Sequence, residues 1–236
     1  MNNKHFEFTD ETINLGTLVL HRIRATRDIP EYDVEKGDFG GFVESYDNLN
    51  GNAWVFDDAK VYGSAKVFEN ARVSGHATVY DNAHVFDHAI VSERARVCGN
   101  ALVEEHAVVY GYAYVFDDAK VYGDAEVFGN AKVGDRAQIF EYAQVLGDVT
   151  VCGNAQICGT ALVRSIKDYA VFKNFWSSGR HCTWTRSNNM WKAGCFYGTG
   201  EELIRRAYKD SDMSGKMYEC IVKAVNEMNK LLKEGQ

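Results

Sequence analysis

The chain has 236 residues, 46% of them hydrophobic and 25% charged, which is the profile of a folded protein of one large domain or one domain with appendages. The net charge of −7 is uneven: residues 1–52 carry five Lys/Arg against ten Asp/Glu, 53–163 eight against fifteen, and 164–236 thirteen against eight. That basic tail is too weak to mark nucleic-acid binding, and no apolar run approaches the roughly 20 residues a membrane span needs. The start has no basic region followed by an apolar stretch, so no secretory signal is expected. The six cysteines form no C-x-x-C pair, so the expectation is reduced thiols in a cytoplasmic protein.

Residues 1–42 read as an N-terminal β cap. Thr17 to Ile29 alternates in strand fashion through Leu18, Leu20, Ile23 and Ala25, and the turn-rich GDFGGF segment from Gly37 to Phe42 leads onward. The single proline, Pro30, leaves nearly every later backbone N–H free to join a continuous ladder.

From 43 to 163 the sequence repeats every six residues. Alanine recurs at Ala53, Ala59, Ala65 and onward to Ala161, with Val149 the one substitution, and two residues after each comes Val or Ile. Val43 and Leu49 extend the aliphatic register backward. A β-branched side chain suits a narrow interior, alanine a crowded corner, and Gly, Asn or Asp the bend between them. Three hexads close an 18-residue triangular coil, and coils stacked about 4.8 Å apart give six to seven turns and a rod of roughly 30 Å. The pattern resembles the hexapeptide-repeat family, which implies an all-β solenoid, a left-handed parallel β-helix. Taken whole, the chain resembles hexapeptide-repeat proteins of phages and gut bacteria.

Residues 18 apart stack, so the rod reads as columns. The position after each inward aliphatic is aromatic in ten of nineteen hexads, and Tyr62 is expected on Tyr80, Phe68 on Phe86 and Tyr122 on Phe140. Such an apolar surface is expected to be covered by the tail or by another copy, which points to a homo-oligomer, a dimer or trimer. One corner column runs Asn70, His88, His106, Asp124, Tyr142 beside Glu69, Asp87, Glu105 and Glu141. Imidazoles next to carboxylates supply a general base or metal ligands. Polar side chains that merely fill a wet turn explain them as well, and no metal is assigned. Cys152 and Cys158 lie in neighbouring outward columns as inert thiols.

Residues 164–236 break the register. Residues 169–197 are expected to form two or three short strands rich in Trp, Phe, Arg and Lys, joined by SSGR and SNN turns. Thr199 to Glu202 is a capping box that opens a helix through about Asp210. A second helix runs from about Ser214 to Lys233, with Met217, Ile221, Val222, Val225, Met228 and Leu232 on its apolar face. Trp-rich packing would make this segment a cap on the rod. Alternatively, aromatic rings interleaved with cations stack on a base and grip phosphate, and Arg180, Trp184, Arg186 and Trp191 are the candidates.

The family resemblance implies acyltransferase activity that uses acetyl-CoA or another acyl-CoA, with His88 or His106 as the catalytic base at a subunit interface. The unbroken coils leave no protruding loop of the kind such enzymes use. The favoured expectation is therefore a non-catalytic binding or scaffold protein without a cofactor; the resemblance to phage proteins implies an accessory or host-defence-blocking role for it. Its partner would be another protein or a nucleotide-like small molecule. A DNA mimic built on the stacked carboxylates is a third reading, weakened by the His, Arg, Lys and Gly that break those columns.

Overall fold

The computed structural model describes residues 4–234. Each hexad contributes a two-residue rung, and rungs 18 residues apart pair in parallel: Trp54 with Arg72, Lys60 with Thr78, Lys66 with His84. Three sheets result, with nine, seven and six strands, and the seven-stranded one gives the rod seven turns along that face. The interior is a dry stack of the repeated aliphatics and corner alanines, essentially all of them inaccessible to solvent. Val43 pairs with Val61 and Leu49 bridges to Val67, so the register does extend back to residue 43.

The corners explain the Gly/Asp/Glu column. From Gly51 to Gly159, every sixth residue is left-handed, with φ between 52° and 79°. Glycine adopts that conformation freely, whereas Asp and Glu normally resist it. Here the acidic side chains recover the cost by reaching along the rod to the backbone N–H of the equivalent residue one coil on. Asp57 accepts from Gly75 (2.9 Å), Glu69 from Asp87 (3.1 Å), Asp87 from Glu105 (3.1 Å), Glu105 from Gly123 (2.7 Å) and Glu141 from Gly159 (2.6 Å). The next column is stitched by amides, as in Asn82 to Asn100 (3.2 Å) and Asn100 to Asp118 (3.0 Å). Outside, the expected aromatic ladders form: Tyr62 on Tyr80 at 5.3 Å, and Phe68 on Phe86 and Tyr122 on Phe140 at 4.8 Å each. The rings shield one another, so Phe68, Phe86 and Tyr122 are half-buried and Phe140 is buried.

At the N-terminus, strand β1 (Phe6–Leu15) forms a hairpin with β2 (Leu18–Ala25), which pairs antiparallel with β3 (Phe39–Val43). Strand β3 then joins the nine-stranded sheet in parallel through Val43. The alternation from Thr17 to Ile29 marks a strand near β2, whereas nothing comparable marks β1. The GDFGGF segment, turn-like in composition, instead contributes Phe39–Val43 as a strand. Gly40 and Gly41 serve close approach there: a Cβ on Gly40 would lie 2.6 Å from both Ile23 and the Val55 carbonyl, and one on Gly41 2.6 Å from the Ala59 carbonyl.

The hairpin is anchored by His5, which is buried, donates from Nε2 to the Ala53 carbonyl at 2.9 Å and packs edge-on against Phe6. Burial holds its pKa below the ordinary 6.5, against the opposing carbonyl bond. A lowered histidine pKa means the unfolded chain takes up the proton first, so this contribution to stability is complete above pH 6.5 and is lost as pH falls from there towards the folded-state value. Denaturation midpoints measured from pH 8 down to 5 are expected to show a downward step that His5→Gln reduces; an identical profile in the variant would contradict this anchoring role.

The C-terminal segment forms a four-stranded antiparallel sheet of Tyr169–Lys173, His181–Thr185, Met190–Ala193 and Phe196–Gly198, one strand more than the sequence indicates. Helix α1 (Gly200–Asp210) opens on the expected capping box between Thr199 and Glu202, and α2 (Asp212–Glu234) follows almost directly. The buried face of α2 comprises Ser214, Tyr218, Val222 and Val225, while Met228 is 48% exposed, so the apolar stripe lies partly off the predicted one. This unit is tied to the last coils by backbone N–H donors: Gln156 to Thr183 Oγ1 (2.9 Å) and Leu162 to Ser187 Oγ (2.7 Å).

Candidate functional site

The His88/His106 corner forms as the columns require, with ring centroids 5.1 Å apart. His88 Nδ1 lies 3.6 Å from Glu31 Oε1, supplied by the short 3-10 turn Pro30–Tyr32 that folds over this corner. An open depression of about 420 Å³ is lined by Asp87, His88, Glu105, His106, Gly123 and Asp124. The carboxylates of Asp87 and Glu105 are already engaged by next-coil N–H groups. Among the described residues, no three His, Cys, Asp or Glu side chains are disposed to hold a metal ion. The Glu69 carboxyl has its pKa raised, first by a side-chain hydrogen bond with the Asp87 carboxyl stacked beside it and only secondarily by the like charge.

Two cysteines are poor nucleophiles by burial. The Cys158 thiol, under the edge of the C-terminal unit, is pushed up to about 12, and that of Cys182 in the small sheet to about 11. Cys152 is exposed.

The four C-terminal candidates separate. Trp184 and Trp191 are paired across adjacent strands and are only 4% and 1% exposed, packed with Leu203, Ala207, Tyr218, Val222 and Val225. Neither offers a free ring face, which corrects the expectation that they stack on a ligand. The physical reason is that the apolar faces of α1 and α2 need a partner, and the sheet's tryptophans supply it. Arg186 is held by Asn229 of α2, donating from Nε to Oδ1 at 3.0 Å, and so fixes helix to sheet.

Arg180 alone faces a cavity. It closes the loop Asn174–Arg180, in which the Asn174 N–H donates to the Arg180 carbonyl (2.7 Å) and the Asn174 side chain accepts from the N–H and hydroxyl of Ser177 (3.0 Å each). Between this loop and the α1–α2 junction lies a cavity of about 440 Å³, within the range of metabolite sites. Arg180 and Arg206 flank it; Ser177, Ser178, Ser211 and Ser214 add hydroxyls, and Ala193, Phe196, Leu203 and Ala207 give it an apolar wall. Asp210 is its one carboxylate. Arg206 and Tyr218 carry no local sequence signal; only the packing of two helices on the sheet brings them to Arg180.

The family model of the YdcK beta solenoid repeat matches residues 71–87 and 95–111. Both stretches begin on an inward corner alanine, Ala71 and Ala95, and end on a left-handed corner residue, Asp87 and Gly111. The similarity is thus to the coil-forming unit itself, and it stops before the C-terminal unit that holds the cavity. No curated protein matches the chain. No helix of the described residues is long and apolar enough to cross a membrane.

Proposed function

We propose that the chain is a non-catalytic binding or scaffold protein: a stiff rod that carries a ligand- or partner-binding unit at its C-terminal end. The observation that carries this reading is the commitment of the rod's chemistry to its own stacking. Corner carboxylates hold the N–H groups of the next coil, and outward aromatics stack on one another. The same commitment counts against a DNA mimic, whose carboxylates must be free to face a protein. Self-association of the rod as a dimer or trimer, a protein or nucleotide-like partner, and an accessory or host-defence-blocking role in the cytoplasm belong to this proposal.

A second reading, an acyl-CoA-dependent acyltransferase, draws on one observation: Glu31 is placed to orient His88 as a base. Acetyl-CoA added to the full chain distinguishes the two. The binding-protein reading expects no thermal shift and no release of CoA thiol above background; release that disappears in His88→Ala would overturn it.

A further inference from the structure

The cavity at the α1–α2 junction has the chemistry of an anion site. Arg180 and Arg206 both line it, and neither forms an ion pair among the described residues. Among the described residues the only polar contact of the Arg206 guanidinium is a weak one to Cys195 Sγ at 3.8 Å, beside a cation–π approach to Phe196 at 5.9 Å. Two guanidiniums that share one cavity with a single carboxylate, Asp210, and form no ion pair among the described residues are suited to grip a planar or tetrahedral oxyanion through paired N–H donors.

An independent observation comes from the cavity lining. Tyr218 is only 8% exposed, and its oxygen accepts from Asn174 Nδ2 at 3.4 Å. Its own O–H proton has no acceptor among the described residues, and burial raises its pKa. A hydroxyl whose oxygen already accepts from Asn174 keeps its proton for an acceptor in the cavity it lines. The buried residue Ser214 adds a hydroxyl from the first turn of α2, held in place by its own N–H donating to Ser211 Oγ at 3.1 Å.

We infer that this cavity binds a small organic anion, its phosphate or carboxylate group held by Arg180, Arg206 and Tyr218 and its apolar part lying against Phe196 and Leu203. The inference rests on the binding-protein reading and names its ligand class. Asp210 sets the size of the charge accommodated, because it offsets one of the two arginines.

Calorimetric titration of the full chain with phenyl phosphate, benzoate and neutral phenol tests it. Saturable one-to-one binding of an anion is expected, with phenol at least tenfold weaker; tighter phenyl phosphate or tighter benzoate then assigns the headgroup. Arg180→Gln and Arg206→Gln, both at exposed side chains, are each expected to weaken anion binding about tenfold or more, Tyr218→Phe several-fold, and Asp210→Asn to strengthen it. Absence of saturable binding by either anion, or affinity unchanged in both arginine variants, would overturn the inference. Neither result would touch the proposal for the rod, which falls only if acetyl-CoA is turned over.

Discussion

Val109→Asp is expected to destabilise the rod by about 3–5 kcal/mol, the cost of an uncompensated charge in a dry interior. Val109 is fully buried and paired within a continuous column of valines, with Val91 on one side and Val127 on the other. No polar group of the interior is free to receive a carboxylate, because the peptide groups on either side are spent on the coil-to-coil ladder, as where the Tyr110 N–H donates to the Val127 carbonyl (3.0 Å). A solenoid holds each coil only through its neighbours, so damage to one coil removes two interfaces at once. Val109→Ile is the matched control: it adds one methylene and no charge, and should cost no more than about 1–3 kcal/mol, since Ile139 and Ile157 already fill the same inward register. Urea denaturation followed by circular dichroism measures both. An aspartate variant within about 1 kcal/mol of the parent would mean that the interior is not dry.

Trp191→Ala is expected to remove about 3–5 kcal/mol from the C-terminal unit, as truncation of a buried aromatic does. The ring is 1% exposed, lies 5.9 Å from the Phe172 ring, and its Nε1 would sit 3.2 Å from a Cβ placed on Gly200 at the start of α1. Removing it takes the centre out of the contact between sheet and helices. The rod, whose ladder does not involve this residue, is expected to stay folded. Limited proteolysis should therefore cut beyond residue 164 in the variant while the coils remain protected. Unchanged protection of the C-terminal unit would instead place Trp191 where a ligand-stacking residue belongs, outside the core.

The two halves of the protein differ in how much their sequences disclose. In the rod each residue's role is set by neighbours six and eighteen positions away, so periodicity alone locates Val109, the corner alanines and the aromatic ladders. Even there the use of Glu105 was hidden. Its carboxylate looks like a catalytic or metal-binding group until the left-handed backbone turns it towards the Gly123 N–H. Strand β1 escaped because its middle, Thr9 to Thr12, is polar, and its stability comes from distant partners such as Tyr46, stacked on Phe8 at 4.2 Å. In the C-terminal unit the helices and their cap were legible from local spacing, but not which face of the sheet they would cover. That choice buries Trp184 and Trp191, leaves Arg180 at a cavity and adds Arg206, one of two consecutive arginines on α1 that the sequence gives no reason to separate.

The central claim is that the rod supports and the C-terminal unit binds. Hydrogen–deuterium exchange on the full chain, with and without acetyl-CoA, addresses it most directly, read beside the CoA-release assay. The account predicts no ligand-dependent protection in the coils that carry His88 and His106 and no release of CoA. Protection of those coils together with turnover that His88→Ala abolishes would contradict it.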